Sequence, residues 1–271
     1  MGTLFLVATP IGNLEDITQR ALRILGEVAL IAAEDTRVAG RMLQRFEIET
    51  RMLSYHGESR QPRVEEIMAM LATSDVAVIS DAGMPGISDP GSELVRAAIE
   101  RGYPIIPVPG ASSVIAAAAA SGAVDNGFVF GGFLPRSGGA RIKKLRELCA
   151  PGLPVILFEA PTRIERLFGE IASELPDSQI TVGREITKLY EEWLRGTPEE
   201  IAGKINPRGE FVLVIEPRIT WTDPQSLLDD TLSEALEEGA TLREAVDRAI
   251  AATGMSRKPV YARALEISKR G

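Results

Sequence analysis

Charged side chains stand at the ends of several apolar segments, where they are placed to do chemistry. Asp35 and Arg37 follow one such segment in "AAEDTR", Glu159 closes "VILFE", and Lys188 lies in "GREITK". A carboxylate can take a proton from an attacking hydroxyl group, and a cation can stabilise developing negative charge or bind a phosphate. The same residues also have structural uses, because Asp35 can cap a helix and the others can form ion pairs at an interface. The spacing leaves both interpretations open.

A turn rich in glycine and proline adds a second candidate feature. In "VISDAGMPGISDPGSELV" an apolar segment runs into a helical pattern through a turn that holds three glycines and two prolines. Gly allows backbone angles and close approaches that other residues do not, whereas Pro fixes φ and lacks an N–H donor. A connection that needs both indicates a ligand held against the backbone.

The absence of two phosphate-binding motifs narrows the class of that ligand. The first apolar segment continues as "ATPIGN" rather than as G-x-G-x-x-G, and no G-x-x-x-x-G-K-[ST] loop occurs. Chemistry linked to NAD or ATP is therefore disfavoured. Backbone turns without a pyrophosphate cradle suit a nucleoside-type ligand that carries no phosphate, and S-adenosylmethionine is such a ligand.

The order of apolar and helical patterns predicts an α/β fold with two α/β domains. Short β-rich runs such as "TLFLVAT" and "DVAVISD" alternate with helical stretches through residues 1–115, which predicts a parallel, doubly wound sheet. Ligands of such sheets bind beyond the carboxyl ends of the strands, where the glycines occur. Residues 116–220 predict a second, more mixed or antiparallel α/β domain, and residues 221–271 predict a helical segment that contacts RNA or serves as a plain cap.

The composition predicts a globular cytoplasmic protein. The 271 residues are 45% hydrophobic and 25% charged, which is enough for a sizeable core. The single cysteine, Cys149, excludes an internal disulfide and a multi-cysteine metal site. No apolar run approaches the roughly 20 residues that span a bilayer, and the N-terminus lacks the features of a signal peptide. We therefore expect no membrane association.

The charge distribution limits where a polyanion would bind. The net charge of −8 argues against a protein that binds nucleic acid over its whole surface. Basic residues nevertheless cluster in "PRSGGARIKKLRE" and in "SRKPVYARALEISKR". Each cluster is either a solvated helix face or a local contact with a polyanion.

A series of longer motifs resembles one family of methyltransferases. In order, they are "ATPIGNLEDITQRAL", "AAEDTR", "SDAGMPGISDPG", "VPGASS", "GFLPR", "FEAPTRI", "GREITKLYEEWLRGT", "GEFVLVIE" and "SRKPVYARALE". Over essentially its whole length the chain resembles the bacterial small-subunit ribosomal RNA methyltransferase I family, within the tetrapyrrole-methylase-like group. Corrin and porphyrin methylases of that fold typically open with a G-x-G-P-G loop. This chain has "TPIGN" instead, which points away from a tetrapyrrole substrate.

The resemblance implies a cofactor, an acceptor and a partner. Members of the family bind S-adenosylmethionine deep in the cleft between two α/β domains. They methylate the ribose 2′-hydroxyl of a cytidine in the decoding region of 16S ribosomal RNA within the small ribosomal subunit, and they are typically homodimers. Carried over by motif position, the expected cofactor contacts are Ile11, Asp81, Met84, Ser112, Ser113 and Phe158.

The resemblance also implies the reaction for which the charged residues would be used. Attack of a ribose oxygen on a sulfonium methyl group needs no metal, and positioning supplies much of the acceleration. Asp35, Arg37, Glu159 and Lys188 are then the candidates for proton removal, oxyanion stabilisation or phosphate contact. The lone histidine, His56, is a weaker candidate. Two other functions stay open, namely a methylase of the same fold that acts on a small molecule or a protein, and a non-catalytic ribosome assembly factor.

Overall fold

The computed structural model describes residues 1–55, 60–87, 91–136, 138–218, 224–253 and 255–268. The chain divides into two compact units, Met1–Arg218 and Ile219–Gly271. The first unit contains both predicted α/β regions, and the boundary between them at residue 115 stays a prediction. The boundary at residue 220 lies outside the described residues, as do His56 and the last two basic residues of the C-terminal cluster.

The first sheet is parallel throughout, as the alternating pattern predicted. Its strands lie in the order β3-β2-β4-β1-β5, and every neighbouring pair runs parallel. The bounds are β1 (Leu4–Val7), β2 (Leu30–Ala33), β3 (Met52–Ser54), β4 (Val76–Ile79) and β5 (Ile105–Val108). Every residue of β2 and β4 is buried, which explains why these strands are continuous apolar runs.

Helices cover both faces of this sheet, and a crevice opens at the carboxyl ends of its strands. The helices are α1 (Gln19–Glu27), α2 (Thr36–Arg45), α3 (Arg60–Leu71) and α4 (Ser92–Glu100). The first two pack in one core cluster with Ile31, and the other two pack in a second cluster with Leu30. Neighbouring strands β1 and β4 are therefore followed by helices on opposite faces. The two connecting loops diverge, which opens a crevice beyond the carboxyl ends of these strands.

The second sheet is mixed, which confirms the prediction for this region. Its strands are β6 (Val129–Phe133), β7 (Val155–Glu159), β8 (Gln179–Arg184), β9 (Glu192–Gly196) and β10 (Phe211–Glu216). They lie in the order β6-β7-β10-β8-β9. Only the pair β6–β7 is parallel among these neighbours, and the other three pairs are antiparallel.

Helix α5 (Ser113–Ser121) joins the two sheets in sequence and packs on the second one. Its buried side chains Val114, Ala117 and Ala118 lie in one cluster with Ile156 and Val214 of the sheet. Small side chains on this face let the helix approach the strands closely. The start of α5 is thereby fixed against the second sheet, whereas the loop before it follows β5 of the first sheet.

Helix α6 (Gly139–Cys149) precedes α7 (Ile164–Glu174) and the short α8 (Pro198–Ala202). Although α6 carries the first basic cluster, Arg141 is fully buried and pairs with Glu159 and Glu170. It is therefore a structural residue and contributes nothing to the exposed charge of the cluster.

Burial also raises the pKa of the Cys149 thiol to about 11, so this thiol stays protonated at neutral pH.

The second unit is helical, as predicted for the C-terminal segment. It consists of α9 (Pro224–Glu237), α10 (Leu242–Thr253) and α11 (Arg257–Ser268), packed around Leu232, Val246 and Val260. Two arginines of the C-terminal basic cluster are paired within the unit: Arg257 with Asp247, and Arg263 with Asp229. None of the helices in the described part of the chain is long and apolar enough to cross a membrane.

Candidate active site

The loops after β1 and β4 are joined where the crevice opens. Thr9 and Gly83 exchange backbone hydrogen bonds with N···O distances of 2.9 and 3.1 Å. The buried hydroxyl group of Thr9 donates to the carbonyl oxygen of Ser80 at 3.1 Å. Gly83 has a φ of +77°, and a Cβ at this position would lie 3.4 Å from Ile11 Cγ2. The glycine of this turn thus provides both a positive φ and a close approach between the loops.

The first cavity opens beside this turn, between the loops that follow β1 and β4 and residues of the second sheet. It has a volume of about 390 Å³, and five of the residues predicted as cofactor contacts line it. These are Ile11, Met84, Ser112, Ser113 and Phe158. The sixth, Asp81, lines an adjoining cavity instead. All six stay predictions as cofactor contacts, but the structure brings five of them to one place.

An aromatic wall closes one side of the first cavity. Phe158 packs against Phe130 and Phe133 with ring centroids 5.3 and 5.5 Å apart. The guanidinium carbon of Arg163 lies 5.9 Å from the ring centroid of Phe133, which itself is 54% exposed. An exposed aromatic ring that lines a cavity is suited to stack on a flat ligand.

The second cavity adjoins the first and has a volume of about 330 Å³. Its walls come from the loop after β1, from α2, from the turn after β4 and from Lys188. Ile11, Ala82 and Glu210 line both cavities. A reaction between one ligand in each cavity would therefore take place beside these three residues.

Lys188 is held at this junction by two carboxylates. Its Nζ donates to Glu185 Oε1 and to Glu210 Oε2, each at 2.9 Å. Burial lowers the pKa of Lys188, but the two carboxylates outweigh it and hold the pKa above its ordinary value. Lys188 is therefore a cation at neutral pH and does not act as a proton acceptor.

The loop that carries Lys188 is strained. Thr187 has a φ of 69° and Glu185 a φ of 51°, in the left-handed region that β-branched residues such as Thr rarely adopt. The Thr187 hydroxyl oxygen is buried and has no hydrogen-bond partner among the described residues. A Cβ at Gly12 would lie 2.5 Å from Lys188 Cγ, so this loop also presses closely against the loop after β1. Such strain is typical of functional sites.

Asp35 and Arg37 form a pair that lines a third cavity and neither of the first two. Asp35 caps α2 by accepting a hydrogen bond from the backbone N–H of Arg37, and the Arg37 guanidinium donates to both carboxylate oxygens at 3.0 and 2.6 Å. These bonds hold the pKa of Asp35 far below its ordinary value. Asp35 is thus poorly suited to take a proton, and its carboxylate instead orients Arg37, whose side chain is 89% exposed.

Glu159 lines the first cavity, but its carboxylate is already paired. Arg141 donates to its Oε2 and Arg163 is paired with its Oε1, each at 2.6 Å. The backbone N–H of Ala160 donates to Oε1 at 2.8 Å. A buried carboxylate with these partners stabilises the turn after β7. Its predicted part in catalysis has no support from this geometry.

Sequence reasoning missed two features of the site. The first is Glu210, a charged residue that directly precedes the apolar run in "RGEFVLVIE". Arg37, Arg41 and Arg45 recur every fourth residue along α2, and all three are exposed. Since residues four apart lie on the same side of a helix, their spacing predicts a basic row beside the second cavity.

A comparison with known protein families finds a match within the first unit of the chain. The profile of tetrapyrrole (corrin/porphyrin) methylases matches residues 3–202. The chain belongs to the tetrapyrrole (corrin/porphyrin) methylase family. This family match covers the first sheet and strands β6 to β9 of the second, and it ends before β10. It includes all the residues of the first cavity except Glu210, Phe211 and Val212.

Relatives within the family share the full length of the chain. The chain is 41% identical to ribosomal RNA small subunit methyltransferase I of Synechocystis sp., with 100% of both chains covered. It is 39% identical to the protein of the same name from Bacillus subtilis, over 96% of this chain and 93% of that one. The resemblance found in the sequence motifs is thereby confirmed.

Two solved structures have the same fold. Diphthine synthase matches with a TM-score of 0.63 and 15% identity, over 79% of this chain and 90% of that one. Uroporphyrin-III C-methyltransferase from Thermus thermophilus, solved with S-adenosylhomocysteine, matches with a TM-score of 0.56 and 21% identity, over 79% and 97%. The predicted fold class is confirmed.

Proposed function

We propose that this protein transfers a methyl group from S-adenosylmethionine to the ribose 2′-hydroxyl of a cytidine in the decoding region of 16S ribosomal RNA. The proposal draws on the names of relatives that match over the full chain. The observation that carries it is the pair of adjoining cavities, one suited to a nucleoside without phosphates and the other beside a row of arginines. The nucleotide and the atom follow from the resemblance of the motifs.

S-adenosylmethionine fits the residues that line the first cavity. The volume of about 390 Å³ lies in the range of small-molecule sites. Phe133 and Phe158 offer a stacking surface for an adenine ring. The charged residues among those that line the cavity, Glu159 and Glu210, are both acidic, so the lining offers no basic side chain to bind a pyrophosphate. Bound there, S-adenosylmethionine would supply a methyl group on a positively charged sulfur atom.

The arginine row on α2 supports an acceptor that is a polyanion. Arg37 pairs with Asp35, whereas Arg41 and Arg45 make no salt bridge with any residue in the described part of the chain. Like charges four residues apart destabilise a helix, so the row costs stability unless an anion binds it. Arg41 also lines the second cavity. Phosphates that flank a nucleotide in this cavity would therefore meet the row.

Replacing Arg41 and Arg45 together with alanine is expected to weaken binding of small ribosomal subunits, because two phosphate contacts are lost. The slope of log K against log salt should become less negative by about 1.5. The affinity for S-adenosylmethionine should not change. The matched control is Arg20→Ala with Arg23→Ala on α1, which removes the same charge from exposed positions outside both cavities. An equal change of slope in both double variants would show that the row has no special part in binding.

The class of acceptor is tested by incubating the protein with labelled S-adenosylmethionine and one of three acceptors. These are small subunits without ribose methylation, free 16S RNA and a tetrapyrrole such as uroporphyrinogen. We expect incorporation into the subunits. Incorporation into the tetrapyrrole alone would make the protein a small-molecule methylase, and cofactor binding without any incorporation would favour an assembly factor.

We also propose that the protein works as a cytoplasmic homodimer. A ribosomal substrate would place it in the cytoplasm. Apolar side chains are exposed on the edge strand β5 and on the following helix, with Ile106 at 36% and Ile115 at 58% exposure. A second copy of the chain would cover such residues in a dimer.

A further inference from the structure

We propose that the second cavity holds the acceptor nucleoside and that Glu210 receives the proton of its attacking hydroxyl group. The proposal rests on the function proposed above. It adds the place of the acceptor and the identity of the proton acceptor, which is a residue outside the set that the sequence motifs suggested.

The position of Glu210 is the first argument. Glu210 immediately precedes β10, and its side chain is 78% exposed where the two cavities meet. Of the titratable residues that line the cavities, Arg41, Asp81 and Lys188 line only the second, and Glu159 lines only the first. A methyl donor in one cavity and a hydroxyl group in the other would therefore both lie beside Glu210. A general base must be within hydrogen-bond reach of the proton that it takes.

The state of the Glu210 carboxylate is the second argument. Its Oε2 accepts a hydrogen bond from Lys188 Nζ at 2.9 Å, which fixes the orientation of the group. Its Oε1 makes no hydrogen bond with any residue in the described ranges, so this oxygen is available to a ligand. Asp35 and Glu159 are held by arginines, and Lys188 is already protonated. Asp81 accepts the backbone N–H of Asp35 and lies only in the second cavity.

The lining of the second cavity suits a nucleoside. Val38 and Met42 of α2 provide an apolar wall on which a base can pack. Asp81 and Lys188 also line this cavity and can bind ribose hydroxyl groups, while Arg41 can bind a phosphate. The volume of about 330 Å³ is near the lower end of the range for small-molecule sites, which suits one nucleoside extruded from an RNA strand.

The chemical step balances with these groups alone. The ribose oxygen forms a bond to the methyl carbon, and the bond between that carbon and the sulfonium sulfur breaks. The electron pair of the broken bond stays on sulfur, which becomes neutral. The hydroxyl proton passes to Oε1 of Glu210 and leaves to solvent after the product departs.

The test of Glu210 compares Glu210→Gln with Glu216→Gln at the other end of the same strand. Loss of a general base lowers kcat by about 100-fold or more. We therefore expect this loss for Glu210→Gln, with the dissociation constants for S-adenosylmethionine and for small subunits, measured by calorimetry and filter binding, within twofold of wild type. Glu216→Gln should keep the wild-type rate. A rate within threefold of wild type, or a loss explained by weaker cofactor binding, would overturn the role of Glu210.

The test of the cavity uses one bulky substitution on each side of the junction. Val38→Trp should fill the second cavity, so that methyl transfer is lost while cofactor affinity is kept. Ser113→Trp should fill the first cavity, so that cofactor affinity is lost while subunit binding is kept. Circular dichroism confirms that each variant folds, and Glu210→Gln stands as the test if either does not. A Val38→Trp variant that transfers methyl groups at the wild-type rate would overturn the assignment.

The controls also separate this proposal from the proposed function. If the wild-type protein methylates no subunit, the proposed function fails before any variant is compared. If the wild type is active and both Glu210→Gln and Val38→Trp are equally active, only the further inference fails.

Discussion

Replacing Lys188 with methionine is expected to lower kcat for methyl transfer by about 100-fold to 1,000-fold, the range found when one preorganised donor to an oxyanion is removed. Lys188 lies in the second cavity, and the two carboxylates that accept from it keep it protonated. As the hydroxyl proton leaves, negative charge develops on the ribose oxygen, and Lys188 is a cation bonded to Glu210, which lines both cavities. Without it the Glu210 carboxylate also loses its fixed orientation.

The measurement is single-turnover kinetics on small subunits, with Lys204→Met as the matched control at an exposed position after α8. The pKa of Lys188 is raised, so its positive charge is fully present below its ordinary pKa and is lost only as the pH rises past the raised value. Activity should therefore show no decline due to Lys188 between pH 6 and 9. A Lys188→Met variant with wild-type kcat, or with only a raised KM, would contradict a part for this cation in the chemical step.

Replacing Arg141 with methionine is expected to lower the free energy of unfolding by about 3–5 kcal/mol, the cost of breaking a buried ion pair by removing one partner. Arg141 donates to Glu159 at 2.6 Å and to the carbonyl oxygen of Pro135 at 3.3 Å, and it also pairs with Glu170. Methionine fills much of the volume but leaves the buried carboxylate of Glu159 with less compensation. Because Glu159 lines the first cavity, cofactor affinity should fall with stability.

The check on Arg141 is urea denaturation followed by circular dichroism. Lys143→Met on the same helix is the control, because this side chain is 80% exposed and its loss should change the free energy of unfolding by less than about 0.5 kcal/mol. A loss of less than about 1 kcal/mol for Arg141→Met would mean that the surrounding carboxylates find other partners. The buried cluster would then contribute little to the fold.

The strands and their parallel or mixed pairing were predictable because their signals are local. Apolar runs of four to six residues between helical patterns mark β2 and β10 in the sequence. The order of the strands was not predictable in this way, because it depends on which faces α1 and α4 cover. Tertiary packing places α1 and α4 on opposite faces of the first sheet, and the loops after β1 and β4 form the crevice for this reason.

The candidate site was predictable where a motif marks it and not where it depends on contacts across the chain. Ile11 and Met84 lie in motifs, and the structure brings them to one cavity. The pairing of Lys188 with Glu210 depends on a loop in which Thr187 has a positive φ. This conformation could not be predicted from the sequence, because Thr rarely adopts a positive φ. The burial of Arg141 likewise depends on carboxylates that are 18 and 29 residues away in sequence.

The most direct test of the proposed activity identifies the atom that receives the methyl group. Small subunits that lack ribose methylation in the decoding region are incubated with the protein and isotopically labelled S-adenosylmethionine, and the RNA is digested to nucleosides for mass spectrometry. We expect labelled 2′-O-methylcytidine from the wild-type protein and at least 100-fold less of it from Glu210→Gln in the same time. Label on a cytosine base, or no label despite bound cofactor, would contradict a ribose 2′-O-methyltransferase.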